Sequence, residues 1–340
     1  MINRVFNINM RESLFKNMIT NRDMHTHAAK IHKIINSPPK INMQTPLPPQ
    51  PPLLFDVSLR DGIQGANPLD YPTNKKINIL KSIFQNHSPA KIEIGSFVSP
   101  KVLPIMSDIA TLLQEMPAIF ENKGKTAEIY VLVPNKTGLM RAIDCGFTNF
   151  SFITSVSNAF QIKNTGKNLI HKKHELQEMM RHVAKMSKPS KTKLYISCVN
   201  ECPLYGLIDR DLIVHEILSS YGRSDQDYEY DEICISDTMG TLKCHDFEYI
   251  VNGLLRFGIP KTRISMHLHI NSGNALEAKR ILFACFCRGI NQFDVSTLSE
   301  GGCSVTMEAN QLKPNMSYEF VQSAFEEYTD SISDNRFLFK

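Results

Sequence analysis

The chain has 340 residues, 42% of them apolar and 21% charged, with a net charge of +4. These values exclude a mostly disordered chain, a collagen-like repeat and a heptad rod. No stretch reaches the ~18 consecutive apolar residues of a membrane span, so no membrane association is expected. The charge is unevenly placed. Residues 1–52 hold seven basic residues against Glu12 and Asp23, whereas the remaining 288 residues hold 31 basic and 32 acidic ones. A near-neutral body argues against nucleic-acid binding, which calls for a basic stripe on the folded domain. Eight cysteines without paired C-x-x-C spacing fit reduced thiols better than a disulfide scaffold or structural zinc.

The first 52 residues are set apart from the rest. Seven prolines between Pro38 and Pro52 favour extended polyproline geometry and cannot donate backbone hydrogen bonds, which predicts a semi-rigid linker. Residues 1–37 are basic, acid-poor and rich in Asn and Met. They fit either a disordered extension or an organelle transit peptide, so the expected compartment is the cytoplasm or the mitochondrial matrix.

From Leu53 onward two textures alternate. Short β-branched and aromatic runs at 53–60, 90–97, 128–135, 149–157, 193–199, 231–238, 263–270 and 292–299 predict eight strands. Between them lie segments with helical apolar spacing, among them 75–86, 101–115, 208–220, 245–257 and 273–288. Strand–helix units of this length predict parallel βαβ connections, and eight of them predict a (β/α)8 TIM barrel over residues 53–335. A doubly wound sheet is the competing arrangement, but no strand is followed by G-x-G-x-x-G.

In such a barrel, reactive groups belong at the C-terminal ends of strands. Polar exceptions do gather there: Arg60-Asp61-Gly62, the lone acid Glu93, Asp237-Thr238, His267-Leu268-His269 and Glu300-Gly301-Gly302-Cys303. His267 and His269 are two apart on a strand and face one way. They are either core histidines or, with Asp61, a facial three-ligand metal set. Arg60 is either a structural ion pair with Asp61 or a fixed cation for a developing enolate oxygen. Glu93 and Asp237 are buried carboxylates suited to pairing or to proton transfer. Cys303, behind two glycines, is a candidate acid–base or nucleophilic thiol. Its rivals are Cys198 and Cys202, a C-x3-C pair at the end of strand five.

SLRDGIQ, IEIGSFVSPK, YISCVNECPLYG, ISDTMG, HLHINSGNA and GGC occur in this order. Together they resemble the 3-hydroxy-3-methylglutaryl-CoA lyase branch of the barrel metallolyases, whose wider superfamily includes isopropylmalate, homocitrate and citramalate synthases. The resemblance implies a divalent cation, magnesium or manganese, held by Asp61, His267, His269 and an asparagine, best matched by Asn315 with Asn310 as the other option. It also implies an acyl-CoA substrate, cleavage to acetoacetate and acetyl-CoA, and a homodimer. In that scheme Arg60 stabilises the enolate and Cys303 carries a proton, while Glu93 and Asp237 order the proton path and the metal surroundings.

Three features depart from the pattern. Ile270 and Asn271 follow H-x-H, so an acidic partner for the histidines is missing there. Asn67 stands where a basic residue is expected, and SVTMEANQLKP replaces a glycine-rich stretch after GGC. The alternatives are a Claisen-condensing synthase, which the Asp56-to-Gly62 context also fits, and a barrel that binds without turnover.

Overall fold

The computed structural model describes residues 49–123, 126–221, 229–299, 301 and 313–333. The N-terminal segment up to residue 48 lies outside these, and with it the expected disorder or transit function. Eight parallel strands close into one barrel: β1 (Leu53–Asp56), β2 (Lys91–Ser96), β3 (Glu128–Leu132), β4 (Asn149–Ser155), β5 (Thr192–Ser197), β6 (Glu232–Asp237), β7 (Ile264–Leu268) and β8 (Gln292–Val295). The ring closes where β1 pairs with β8, from Leu53 opposite Gln292 to Asp56 opposite Val295. The TIM-barrel expectation is met.

The strands read as near-continuous apolar runs because a barrel strand is covered on both faces. Every residue of β5 and β6 is buried. Around the ring lie helices α1 (Thr73–Asn86), α2 (Ile109–Lys123), α3 (Lys136–Asp144), α4 (Asn158–Thr165), α5 (Leu169–Ala184), α6 (Arg210–Tyr221), α7 (Cys244–Arg256), α8 (Ala275–Arg288) and α9 (Tyr318–Ser333). Several begin on side-chain caps: Asn135, Ser157 and Asn168 each accept a backbone N–H of the first turn.

Several strands end earlier than their predicted runs, and two of the boundaries that move bear on the site. The first strand ends at Asp56, and Arg60-Asp61 lies in the tight turn that follows, where Arg60 and Gly62 both donate to the Val57 carbonyl. The helix expected from residue 101 starts at Ile109. Pro104 fixes a separate 3-10 turn, Pro104–Met106, before it.

Asp56 ties β1 to α9. Its carboxylate accepts the Tyr318 hydroxyl at 2.8 Å and the Ser58 amide at 2.9 Å. Burial pushes its pKa from 3.8 up to about 6 despite those donors. A raised folded-state pKa means that the folded chain holds a proton which the unfolded chain has released. This contribution is therefore complete below about pH 4 and is lost as pH rises through 6. Asp56→Asn removes that slope. Its melting temperature relative to the parent chain is expected to rise from pH 4.5 to pH 7, which a pair of thermal scans checks.

Candidate metal centre and active-site cavity

His267, on β7, and His269, just beyond it, turn both rings into the barrel mouth because strand side chains alternate. Their Nε2 atoms are 3.3 Å apart, and Asp61 Oδ2 lies 3.7 Å from the first and 3.9 Å from the second. All three residues are buried. Among the described residues they form a group whose ligand atoms all fall within 4.8 Å of one another. Cis ligands held about 2.1 Å from a divalent ion are themselves about 3 Å apart, so modest closure suffices.

The other ring nitrogens are already engaged. His267 Nδ1 lies 3.1 Å from Asp294 Oδ2, and His269 Nδ1 lies 3.0 Å from the Lys313 carbonyl. Acceptors at Nδ1 place the hydrogen there and leave the Nε2 lone pairs facing Asp61, the arrangement a metal ligand needs. Burial, with His267 beside it, lowers the His269 pKa to about 4, so that this imidazole is neutral near pH 7.

Asn315 forms an isolated bridge with His269, and among the described residues neither its Oδ1 nor its Nδ2 has a hydrogen-bond partner although both are buried. An orphaned buried amide is costly unless something binds it. Gly301 makes room for it, since a Cβ at that position would lie 2.4 Å from Asn315 Nδ2. Asp61, His267, His269 and the Asn315 amide therefore fit a divalent cation that takes mixed nitrogen and oxygen donors. Asn315→Ala is expected to weaken Mn2+ binding about 10–100-fold with little change in melting temperature, as calorimetry and a thermal scan would read. Asn310 and Cys303 lie outside the described residues.

Beside this group, Arg60 is locked in place. Its Nε donates to Glu93 Oε2, its Nη1 donates to Asp61 Oδ1 at 2.5 Å, and the guanidinium lies 4.8 Å over the Tyr195 ring. Burial opposes its charge, but Glu93 and Asp61 outweigh burial and hold the guanidinium protonated. Glu93 also accepts the Tyr195 hydroxyl at 3.2 Å. Asp237 is placed differently. Its two carboxylate oxygens each accept a backbone N–H at 3.0 Å, from Thr241 and Leu242, so it holds the turn after β6. Burial raises its pKa to about 6.

The acidic partner that the sequence lacks after H-x-H is present after all: it is Asp294 on β8, the neighbouring strand. Asp294 in turn meets Lys193 Nζ, which also stands 2.8 Å from Glu232 Oε1. Burial favours a protonated Asp294, but Lys193 and His267 prevail and bring its pKa down to about 2. Sequence reasoning missed Asp294, Lys193 and Tyr195. Asp294 and Lys193 each leave a trace, the one charged residue in the runs QFDV and KLYIS, whereas Tyr195 leaves none. Asn67 supplies no cation, since its amide is neutral, and its side chain instead caps the short turn Pro68–Asp70.

A cavity of about 430 Å3 opens over Arg60, Asp61 and the histidine pair. Its wall is apolar at Val98, Leu103 and Phe160, and Lys163 and Lys167 stand at its edge on and after α4. The cavity thus joins a buried histidine pair, a fixed cation and an apolar wall.

Residues 52–310 match the HMGL-like family model. The chain is 29% identical over 258 residues to the hydroxymethylglutaryl-CoA lyase of Bacillus subtilis, covering 75% of this chain and 79% of that protein. It is 27% identical over 262 residues to the mitochondrial hydroxymethylglutaryl-CoA lyase of Gallus gallus, covering 77% and 82% respectively. The crystal structure of the HMG-CoA lyase from Brucella melitensis superposes with a TM-score of 0.69 at 24% identity, over 82% of this chain and 91% of that one, which shows the shared barrel. With its eight-stranded barrel and a family match across the whole of it, the chain belongs to the HMGL-like family.

Proposed function

We propose that this protein is a divalent-metal-dependent carbon–carbon lyase that cleaves 3-hydroxy-3-methylglutaryl-CoA, or a related 3-hydroxyacyl-CoA, to acetyl-CoA and a keto acid. The observation that carries this reading is the convergence of Asp61 Oδ2 and the two histidine Nε2 atoms beside an orphaned Asn315 amide. The names of the curated relatives supply the substrate class.

When bound, Mg2+ or Mn2+ supplies Lewis-acid stabilisation of the substrate's hydroxyl and carbonyl oxygens. The chain's own residues do the rest. Cleavage puts an electron pair on the acetyl-CoA fragment, and its enolate oxygen needs a cation that does not have to reorganise. Arg60 meets that need, because among the described residues two of its five N–H groups are committed, to Glu93 and Asp61, and three are left. Asp294 and the Lys313 carbonyl hold the two imidazoles in one tautomer and orientation. Glu93 and Tyr195 fix the guanidinium, and Asp237 fixes the turn after β6. Cys303 delivers the proton that converts the enolate to acetyl-CoA, and Lys163 and Lys167 at the cavity edge suit an anionic thioester carrier. The protein works as a homodimer in the cytoplasm or the mitochondrial matrix.

Purified full-length chain with Mg2+ or Mn2+ is expected to release acetoacetate from 3-hydroxy-3-methylglutaryl-CoA. A chelator should stop the release, and His269→Ala should abolish it. Folded protein that binds either metal yet forms no product would sink the substrate assignment.

A further inference from the structure

Among the described residues, only two that are not glycine have a left-handed backbone: Cys198 (φ 62°) and Asn200 (φ 103°). An L side chain disfavours that region, so such residues persist only where surrounding contacts impose them. Here they do. The Cys198 amide donates to Thr238 Oγ1 at 2.8 Å, the Asn200 carbonyl accepts the Ile208 amide at 2.9 Å, and Asn200 Nδ2 donates to Thr241 Oγ1 at 3.1 Å. The turn that results folds Cys202 back onto Cys198. The two cysteines pack with Phe160 in a separate buried cluster.

Cys202 Sγ also accepts the Ser157 hydroxyl at 3.0 Å and the Leu204 amide at 3.4 Å. These donors, the Cys198 thiol first among them, bring the Cys202 pKa down to about 5, whereas burial pushes Cys198 up. The pair is thus a thiolate with a thiol resting on it, and the proposed lyase reaction uses neither.

We propose that Cys198 and Cys202 form a reversible dithiol–disulfide site, closed by a hydroperoxide, that alters the α4 wall of the active-site cavity. The Cys202 thiolate attacks the peroxide: an S–O bond forms, the O–O bond breaks, and the departing alkoxide or hydroxide takes a proton. Cys198 then attacks the sulfenic sulfur, so that an S–S bond forms, the S–O bond breaks and the oxygen leaves as water with the Cys198 proton. Both sulfurs are oxidised by one electron each and the peroxide is reduced by two. A dithiol reductant reverses the step.

Access runs through the hairpin over the pair. Its ladder has only two rungs, Glu201 opposite Leu207 and Cys202 opposite Gly206, and its tip residues Leu204 and Tyr205 are 41% and 76% exposed. So short a ladder opens readily. Coupling to the cavity runs through Ser157, which caps α4 by accepting the Phe160 amide while it donates to Cys202. Oxidation removes the anion that orients Ser157, and α4 carries the cavity residues Phe160, Lys163 and Thr165.

The test uses the intact chain treated with hydrogen peroxide, denatured and alkylated. Trypsin releases both cysteines on the single peptide Leu194–Arg210. That peptide is expected to lose two hydrogens and resist alkylation until dithiothreitol is added. In the oxidised protein, amides of Phe160–Thr165 are expected to exchange about fivefold faster. In Cys198→Ser, dimedone should trap a sulfenic acid at Cys202, and in Cys202→Ser none should form at Cys198. The proposal is overturned if both thiols stay alkylatable when the exposed Cys145 and Cys287 are oxidised. It is equally overturned if either thiol pairs with another cysteine, or if the disulfide forms and α4 exchange does not change.

Discussion

Arg60→Gln is expected to lower turnover about a thousandfold while KM and Mn2+ affinity change far less. Arg60 is 4% exposed and is held by Glu93, Asp61 and the Tyr195 ring. A cation fixed in this way stabilises charge that appears only as the carbon–carbon bond breaks, so its loss is felt in kcat. The same substitution has a structural effect to be separated from the catalytic one. It strips a buried carboxylate, Glu93, of its counter-ion, which costs about 3–5 kcal/mol of stability. Glu93→Gln added to Arg60→Gln removes the stranded charge. The double variant should therefore recover most of the stability and none of the turnover. Urea unfolding and steady-state kinetics on the four members of the cycle decide the matter. If turnover returns together with stability, Arg60 is a structural ion pair and no more.

Much of this molecule was legible in its sequence, for a physical reason. Strands covered on both faces stand out as apolar runs, so all eight appear near their observed positions, and a polar residue inside such a run marks itself. His267 and His269 show in this way, because two imidazoles at strand spacing break the run together. The boundary of β1 did not show, since the turn after Asp56 has the same apolar texture as a strand: Val57, Leu59 and Ile63 are all buried. Asn315 was reached only through the family resemblance. What places it beside His269 is a bridge between backbones 46 residues apart. The missing acid was the clearest failure of local reading. The pairing of Phe293 with Met266 puts Asp294 next to His267 across the strand boundary. No window of sequence around His267 contains that information.

The partner of Asp294 sets the second large effect. Lys193→Met is expected to cost about 3–5 kcal/mol at pH 7 and to weaken Mn2+ binding about 10–100-fold. Lys193 is fully buried among Asp294, Glu232 and the rings of Phe55 and Tyr195. Glu232 keeps a second cation in Lys91, 2.6 Å away, so removing Lys193 strands Asp294 more than Glu232. With Lys193 gone, burial is no longer outweighed and the Asp294 pKa climbs from about 2. The stability given by a depressed carboxylate is present above its unfolded pKa of about 4 and is lost as pH falls through the folded value. The stability gap between parent and variant should therefore be full at pH 7 and narrow as pH drops from about 4 toward 2. Asp294 also holds His267 by Nδ1, so a protonated Asp294 accepts less well and frees the ring to rotate or change tautomer. Lys193→Arg keeps the charge and should recover metal affinity, although the bulkier head disturbs the packing on Phe55. Calorimetry with Mn2+ and urea unfolding across pH read both effects. A variant that loses stability and keeps full metal affinity would confine Lys193 to the barrel interior and break its link to the histidine pair.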